Sequence, residues 1–179
     1  ARDLTERYVN DWIRIQQADP DLSSPYFRPE FTQAVAAVRR DVQVAVLEEH
    51  GETIGLFPFQ RRRRTAHPVG GRLSDFHGVI ARPGESWTAE DLLRGCGLSS
   101  WEFHHLPASQ SAFAGFIRQT EGSPYLDLSG GYDAYRRALE KGHREGIAQT
   151  QRKRRKLERE TGEVRFEIGG QFEAFFLCH

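Results

Sequence analysis

Residues 41–60, DVQVAVLEEHGETIGLFPFQ, hold the pattern that decides the fold class. Val42, Val44 and Val46 alternate with other residues, as in a strand that buries one of its faces. His50-Gly51 is a typical tight turn, and a second apolar run follows it directly. We therefore predict a β-hairpin, and a hairpin excludes a purely parallel sheet.

Amphipathic patterns flank this hairpin. Apolar residues recur every three or four positions from Leu4 to Ile15, and Pro29 suits the first turn of a second helix ending at Val38. Pro58 indicates that the return strand is a sheet edge or leaves the sheet there. Further helices are predicted over 89–94, 132–140, 143–160 and from 172, and further strands over 72–80, 101–106, 125–128 and 164–168. Because helices and strands interleave, we expect an α+β fold, with a mixed or mostly antiparallel sheet and flanking helices.

The composition is that of a globular protein. Twelve Phe and three Trp in 179 residues supply enough apolar surface for a core and exclude disorder along the whole length. No apolar run approaches the roughly 18 residues that a membrane span needs, and we expect no signal peptide. Cys96 and Cys178 form neither a metal-binding spacing nor a disulfide framework, so we expect no metal and a reducing, cytoplasmic setting.

The charges are balanced overall but not along the chain. The 25 Lys and Arg equal the 25 Asp and Glu, yet residues 136–179 carry eleven basic against seven acidic residues. This distribution differs from that of a uniformly basic nucleic-acid-binding protein, and we expect nucleic acid to be an unlikely partner. It indicates instead a locally basic element near the C-terminal end of the sequence.

That basic element is the predicted helix 143–160. At 100° per residue, Arg152, Arg155 and Lys156 form one outer stripe together with Arg159. The stripe is either a solvated face or an anion site for phosphate, pyrophosphate or a carboxylated glycan. Arg154 falls among the apolar positions, so we expect it to face the protein body and to form an ion pair or contact a ligand.

The candidate catalytic residues are Asp75 and His77. In an extended backbone they share one face, so the carboxylate could orient an imidazole that acts as general base for an amine or hydroxyl. Gly78 beside them permits a bend or a close approach of a substrate. The alternative is a hydrogen-bonded pair that braces a strand end. Only one of the neighbours His104 and His105 can line the same cleft, and we assign His104 to substrate binding.

Several stretches resemble one family when they are read together and in order. They are residues 24–31, 42–47, 54–60, 68–80, 101–103, 126–128 and 154–167. The chain resembles the acetyltransferase-like proteins of bacterial cellulose and exopolysaccharide biosynthesis, the CelD type. These belong to the GNAT superfamily and are related to the FemAB peptidoglycan transferases.

This resemblance implies a GNAT-like lobe over residues 1–160 and the start of a second lobe over 161–179. It implies acyl transfer from acyl-CoA, as acetyl-CoA, to an amine or hydroxyl of a small-molecule or glycan-precursor acceptor. Asp75 and His77 match the Asp-aromatic-His-Gly element of the family. The glycine-rich loop that holds the CoA pyrophosphate in GNAT enzymes is not found in the sequence.

Two functions are therefore expected. The first is an acyl-CoA-dependent acyltransferase of polysaccharide or cell-envelope biosynthesis. The second is a non-catalytic GNAT-like module that binds an anionic glycan or a biosynthetic partner protein. A homodimer or a second lobe is a possible partner in either case.

Overall fold

The computed structural model describes residues 4–142 and 144–164. Two compact units are present, Ala1–Glu121 (unit 1) and Gly122–His179 (unit 2). The sequence had assigned residues 1–160 to the first lobe, whereas this division falls before the two C-terminal helices. The strand predicted at 164–168 and the helix predicted from 172 lie outside the described residues, apart from Val164, which has no regular structure.

Unit 1 contains three α-helices and five strands in its described part. The helices are α1 (Glu6–Ala18), α2 (Pro29–Val38) and α3 (Ala89–Gly95). The strands are β1 (Val42–Glu49), β2 (Glu52–Arg62), β3 (Thr65–His67), β4 (Ile80–Ala81) and β5 (Ser100–Trp101). Short 3-10 turns cover Pro20–Leu22, Pro25–Phe27, Gly71–Leu73 and Ser111–Phe116.

The predicted hairpin is confirmed as β1 and β2. The strands pair antiparallel from Val42 opposite Gln60 to Glu49 opposite Glu52. His50 and Gly51 form the turn with φ of 51° and 81°, the left-handed conformation that a two-residue hairpin turn requires. Among the described strands the sheet order is β1-β2-β3-β5, with β4 also on β2, and only β3 and β5 pair parallel. The predicted α+β class with a mixed sheet is therefore confirmed.

The prediction that Pro58 marks an edge strand is wrong, because β2 is central. The Arg61 N–H donates to the Asp41 carbonyl, so odd-numbered residues of β2 turn their backbone groups toward β1. Pro58 therefore turns toward the opposite side. There β4 pairs only with Gly55 and Leu56, and β3 begins at Gln60. The missing N–H of Pro58 falls in the gap between these two strands and costs no ladder bond.

Alternate residues of the hairpin pack into layers on opposite faces of the sheet. Leu56 packs with Trp12 and Ile15 of α1. Phe57 and Phe59 pack on the other face with Leu92 of α3. Helix α2 contributes a smaller cluster around Ala36, Val42 and Val69. The sheet is thus covered by α1 and α2 on one face and by α3 on the other.

Unit 2 is described by two helices. They are α4 (Gly131–Gly142) and α5 (Arg144–Thr161), close to the predicted 132–140 and 143–160. The strand predicted over 125–128 is wrong: these residues have no regular structure, and Tyr125, Leu126 and Leu128 are exposed. None of the strands in the described part of the chain pairs with 125–128, so its alternating apolar pattern does not form a strand there.

Two other predicted strands form only in part. Of 101–106, only Trp101 belongs to a strand, because the chain bends at His105, which has φ of 50°. Of 72–80, only Ile80 belongs to a strand; residues 72–73 end a 3-10 turn, and 74–79 have no regular structure. Its backbone finds other partners, as Val79 shows. The Gln110 side-chain amide accepts from the Val79 N–H at 3.0 Å and donates to its carbonyl at 2.9 Å.

We predict that Gly78→Ala weakens the fold through this amide. An added Cβ would lie 2.4 Å from Gln110 Nε2, so the amide must move away from Val79. Loss of the two hydrogen bonds should lower the free energy of unfolding by about 1–3 kcal/mol, measured by urea denaturation. Gly115→Ala, where the Cβ has open space, is the matched control. If Gln110→Ala leaves the effect of Gly78→Ala unchanged, this explanation fails.

Candidate functional site

The segment 74–79, in which the sequence placed the catalytic pair, is held against the residues after β5. The His77 N–H donates to the His105 carbonyl at 3.3 Å, and His77 Nδ1 accepts from the His104 N–H at 3.3 Å. The His77 side chain is buried, with 6% of the residue exposed. Because Nδ1 is an acceptor, the neutral ring carries its proton on Nε2.

Asp75 does not orient His77, contrary to the expected geometry. Asp75 is exposed, and its carboxylate accepts a long hydrogen bond of 3.5 Å from the Tyr26 hydroxyl. Between the two, the Ser74 hydroxyl donates to the Phe76 carbonyl at 2.8 Å, which curls the segment. The extended backbone needed to place both side chains on one face is therefore absent here.

The surroundings of His77 make it a weak base. Burial is the largest cause that lowers the pKa of His77, to about 4 from its ordinary 6.5. The ring lines a cavity of about 20 Å³, together with Thr32, Phe76, Trp101 and others (the His77 cavity). This volume admits about one water molecule and no acyl acceptor. At neutral pH the imidazole is uncharged and enclosed.

The other two residues assigned to this site act through their backbones. Gly78 is buried, and its missing side chain lets the Gln110 amide approach. His104 is exposed, and its N–H rather than its ring contacts His77. The structure thus brings His77 and Gly78 of the segment 74–79 next to His104, which follows β5, and leaves Asp75 exposed.

A larger cavity of unit 1 lies elsewhere, along the free side of β1. It is an open groove of about 680 Å³ (the β1 groove), within the range of small-molecule sites. Apolar residues of β1 and β2 line the groove. Its polar and aromatic lining comprises Gln43, Glu48, Trp87, Asp91 and Cys96. Sequence reasoning missed this site, because its residues come from elements about forty positions apart. The one signal was the alternation of β1, which indicates that the strand has two distinct faces.

The N-termini of helices α1 to α4 are poor binding sites for a pyrophosphate. Helices α1 to α4 each carry acidic side chains in the first turn, where an anion would otherwise be favoured. These residues are Glu6, Glu30, Glu90, Asp91 and Asp133. Thr88 additionally caps α3 by accepting from the Asp91 N–H at 3.1 Å. These four helices would repel the phosphates of a CoA molecule.

The basic helix of unit 2 is mostly exposed where its side chains are described, with Ile147, Ala148 and Glu158 half-buried. Arg154, expected to face inward, is 74% exposed at its side chain and pairs with Glu158 at 2.8 Å, so that expectation is wrong. The outer residues Arg152, Arg155 and Lys156 are also exposed, and Lys156 lies 3.7 Å from Glu160. The apolar face that should have oriented Arg154 is short, since Leu157 itself is 47% exposed.

Two further searches cover only the described residues. Within 4–142 and 144–164, no three or more His, Cys, Asp or Glu side chains are grouped so that they could hold a metal ion. In the same part of the chain, each helix is too short or too polar to cross a bilayer. The fold and its cavities define a mixed α+β protein with an open groove beside its edge strand. Protein-family models, curated proteins and solved structures give no match to this chain.

We predict that Arg154→Met is almost silent. An exposed i,i+4 ion pair contributes roughly 0.3–0.5 kcal/mol, so thermal unfolding followed by circular dichroism should change little. Arg155→Met, on the outer stripe, is the matched control and should behave alike. A loss above about 2 kcal/mol for Arg154 alone would show that its guanidinium has a buried partner.

We also predict that His77 makes the fold sensitive to mild acid. The unfolded chain binds the proton near pH 6.5 and the folded chain only near pH 4, so stability falls as the pH drops through this window. The full difference is about 3 kcal/mol. Urea denaturation of wild type and His77→Asn should give curves that converge toward pH 4, while the exposed-residue control His104→Asn follows wild type. Parallel curves for wild type and His77→Asn would contradict the prediction.

Proposed function

We propose that this chain belongs to an acyl-CoA-dependent acyltransferase of GNAT-like fold that acts in polysaccharide or cell-envelope biosynthesis. Within it, unit 1 binds the acceptor. The sequence resemblance motivates the reaction class, and the observation that carries the acceptor role is the β1 groove. Its volume of about 680 Å³ suits one or two sugar residues or another small acceptor.

The lining of the β1 groove selects the acceptor chemistry. Trp87 offers an aromatic surface for the apolar face of a sugar, and the Gln43 amide both donates and accepts hydrogen bonds. Glu48 accepts from the Tyr8 hydroxyl at 3.2 Å, and Asp91 pairs with Arg94 at 2.7 Å. The remaining lone pairs of both carboxylates suit hydroxyl or ammonium donors. Two carboxylates disfavour a carboxylated glycan. The acceptor we propose is therefore neutral or carries an amine.

Transfer to such an acceptor depends on positioning and on removing a proton from the nucleophile. The buried imidazole of His77, with its pKa lowered to about 4 by burial, is a poor candidate for that base. The exposed carboxylates of the β1 groove are better placed to hold an acceptor amine. The acidic first turns of α1 to α4 support placing the CoA phosphates outside these helix starts.

The same acidic helix starts favour one second candidate. It is a non-catalytic GNAT-like module that binds a glycan or a biosynthetic partner protein without using acyl-CoA. Both candidates use the β1 groove, and they differ in their response to the acyl donor.

Calorimetric titration of the 179-residue chain tests the acceptor role. We expect binding of cellohexaose or of a glucosamine oligomer, weakened about threefold to tenfold by Gln43→Ala through the loss of amide hydrogen bonds. Gln33→Ala, an equally exposed amide on α2 outside the groove lining, is the matched control. Absence of binding by both oligosaccharides, or equal weakening by the two variants, would contradict the acceptor site.

Acetyl-CoA separates the two candidates. A rise in melting temperature with acetyl-CoA, together with release of free CoA once an acceptor is added, supports the acyltransferase. Glycan binding that is unchanged by acetyl-CoA, with no thiol released, supports the non-catalytic module.

A further inference from the structure

Three buried polar atoms around the His77 cavity have no hydrogen-bond partner among the described residues. They are Oγ1 of Thr32, Nε2 of His77 and Nε1 of Trp101. Thr32 and His77 are 1% and 6% exposed, so bulk water does not satisfy them. Buried polar groups in native proteins almost always have a partner, because leaving one unpaired is costly.

The three residues come from separate elements but line one cavity. Thr32 belongs to α2, His77 to the segment 74–79 and Trp101 to β5, and all three line the His77 cavity. Pro58 of β2 also lines it, at the gap where neither β3 nor β4 pairs. The volume of about 20 Å³ exceeds the roughly 10–15 Å³ that a single water needs.

We propose that the His77 cavity is a binding site for one structural water molecule, held by Thr32, His77 and Trp101. The water accepts from the His77 Nε2–H and the Trp101 Nε1–H, and it donates to the Thr32 hydroxyl oxygen. This use of both lone pairs and one proton fits the usual three hydrogen bonds of a buried water. The site joins α2, the segment 74–79 and β5, three elements with no other common contact described above.

The tautomer of His77 supports this assignment. Nδ1 already accepts from the His104 N–H, so the ring presents a donor at Nε2. The Trp101 indole is a donor only. Two donors require an acceptor between them, and the Thr32 hydroxyl oxygen is the unpartnered buried side-chain acceptor among the described residues that line this cavity. A water molecule between the three groups can accept from both rings and donate to the Thr32 hydroxyl oxygen.

Nuclear magnetic resonance of the ¹⁵N-labelled 179-residue chain tests the site directly. We expect cross-relaxation between a long-lived water and the side-chain N–H protons of His77 and Trp101. Trp12 is an internal control: its equally buried indole N–H donates to the Phe27 carbonyl at 2.7 Å and should show no such signal. If His77 and Trp101 behave like Trp12, no long-lived water lies against their N–H groups and the proposal is wrong.

Variants of Thr32 give a second, independent test. Thr32→Val keeps the shape and removes the hydroxyl, so the water signal at both rings should be lost, whereas Thr32→Ser should retain it. The double variant Thr32→Val/Trp101→Phe should change the unfolding equilibrium constant by less than the product of the two single effects. We expect the shortfall to be at least about fivefold. Thr53→Val, at a buried threonine that instead donates to Asp11, should combine with Trp101→Phe additively. Additivity for Thr32 as well, or a water signal retained in Thr32→Val, overturns the shared site.

Discussion

Strand β2 is the element on which the rest of unit 1 depends, because both of its edges and both of its faces are in use. Its backbone pairs with β1 on one side and with β3 and β4 on the other. Leu56 and Phe57 are fully buried on opposite faces. Such a strand cannot slip by one residue, since a slip would exchange its two apolar surfaces and break pairing on both sides. It therefore fixes where α1, α2 and α3 pack.

Local patterns were sufficient for the parts of the fold that depend on local chemistry. The hairpin 41–60 and the helices were predicted because side-chain periodicity and turn residues act within a few positions. The failures depend on contacts distant in sequence. Pro58 is tolerated in a central strand only because β3 and β4 leave a gap opposite it. Residues 125–128 alternate like a strand, but their described backbone has no neighbour to pair with.

For the candidate site too, local features could be predicted from the sequence and features that depend on distant contacts could not. The sequence singled out Asp75, His77 and Gly78, and the structure places His77 and Gly78 in a buried, hydrogen-bonded stretch with Asp75 exposed beside it. The chemistry assigned to it did not follow, because whether Asp75 and His77 share a face depends on a local hydrogen bond of Ser74. No sequence pattern predicted the β1 groove, because Gln43 and Trp87 line it together only through the packing of α3 on the sheet. For Arg154, the helical periodicity predicted a buried position, but α5 has no buried face at that position.

The amide of Gln110 stands in for a neighbouring strand at Val79, and this substitution spans 31 residues of chain. During synthesis on the ribosome, β1 and β2 can pair as soon as they emerge, because their partners are adjacent. On its second side, β2 can pair with β3 and β4 once residue 81 has emerged, but Val79 lacks its partner until residue 110 has left the exit tunnel. Until then the backbone of Val79 is open to other chains, so the nascent protein is exposed to misassembly at this point of the chain during that interval.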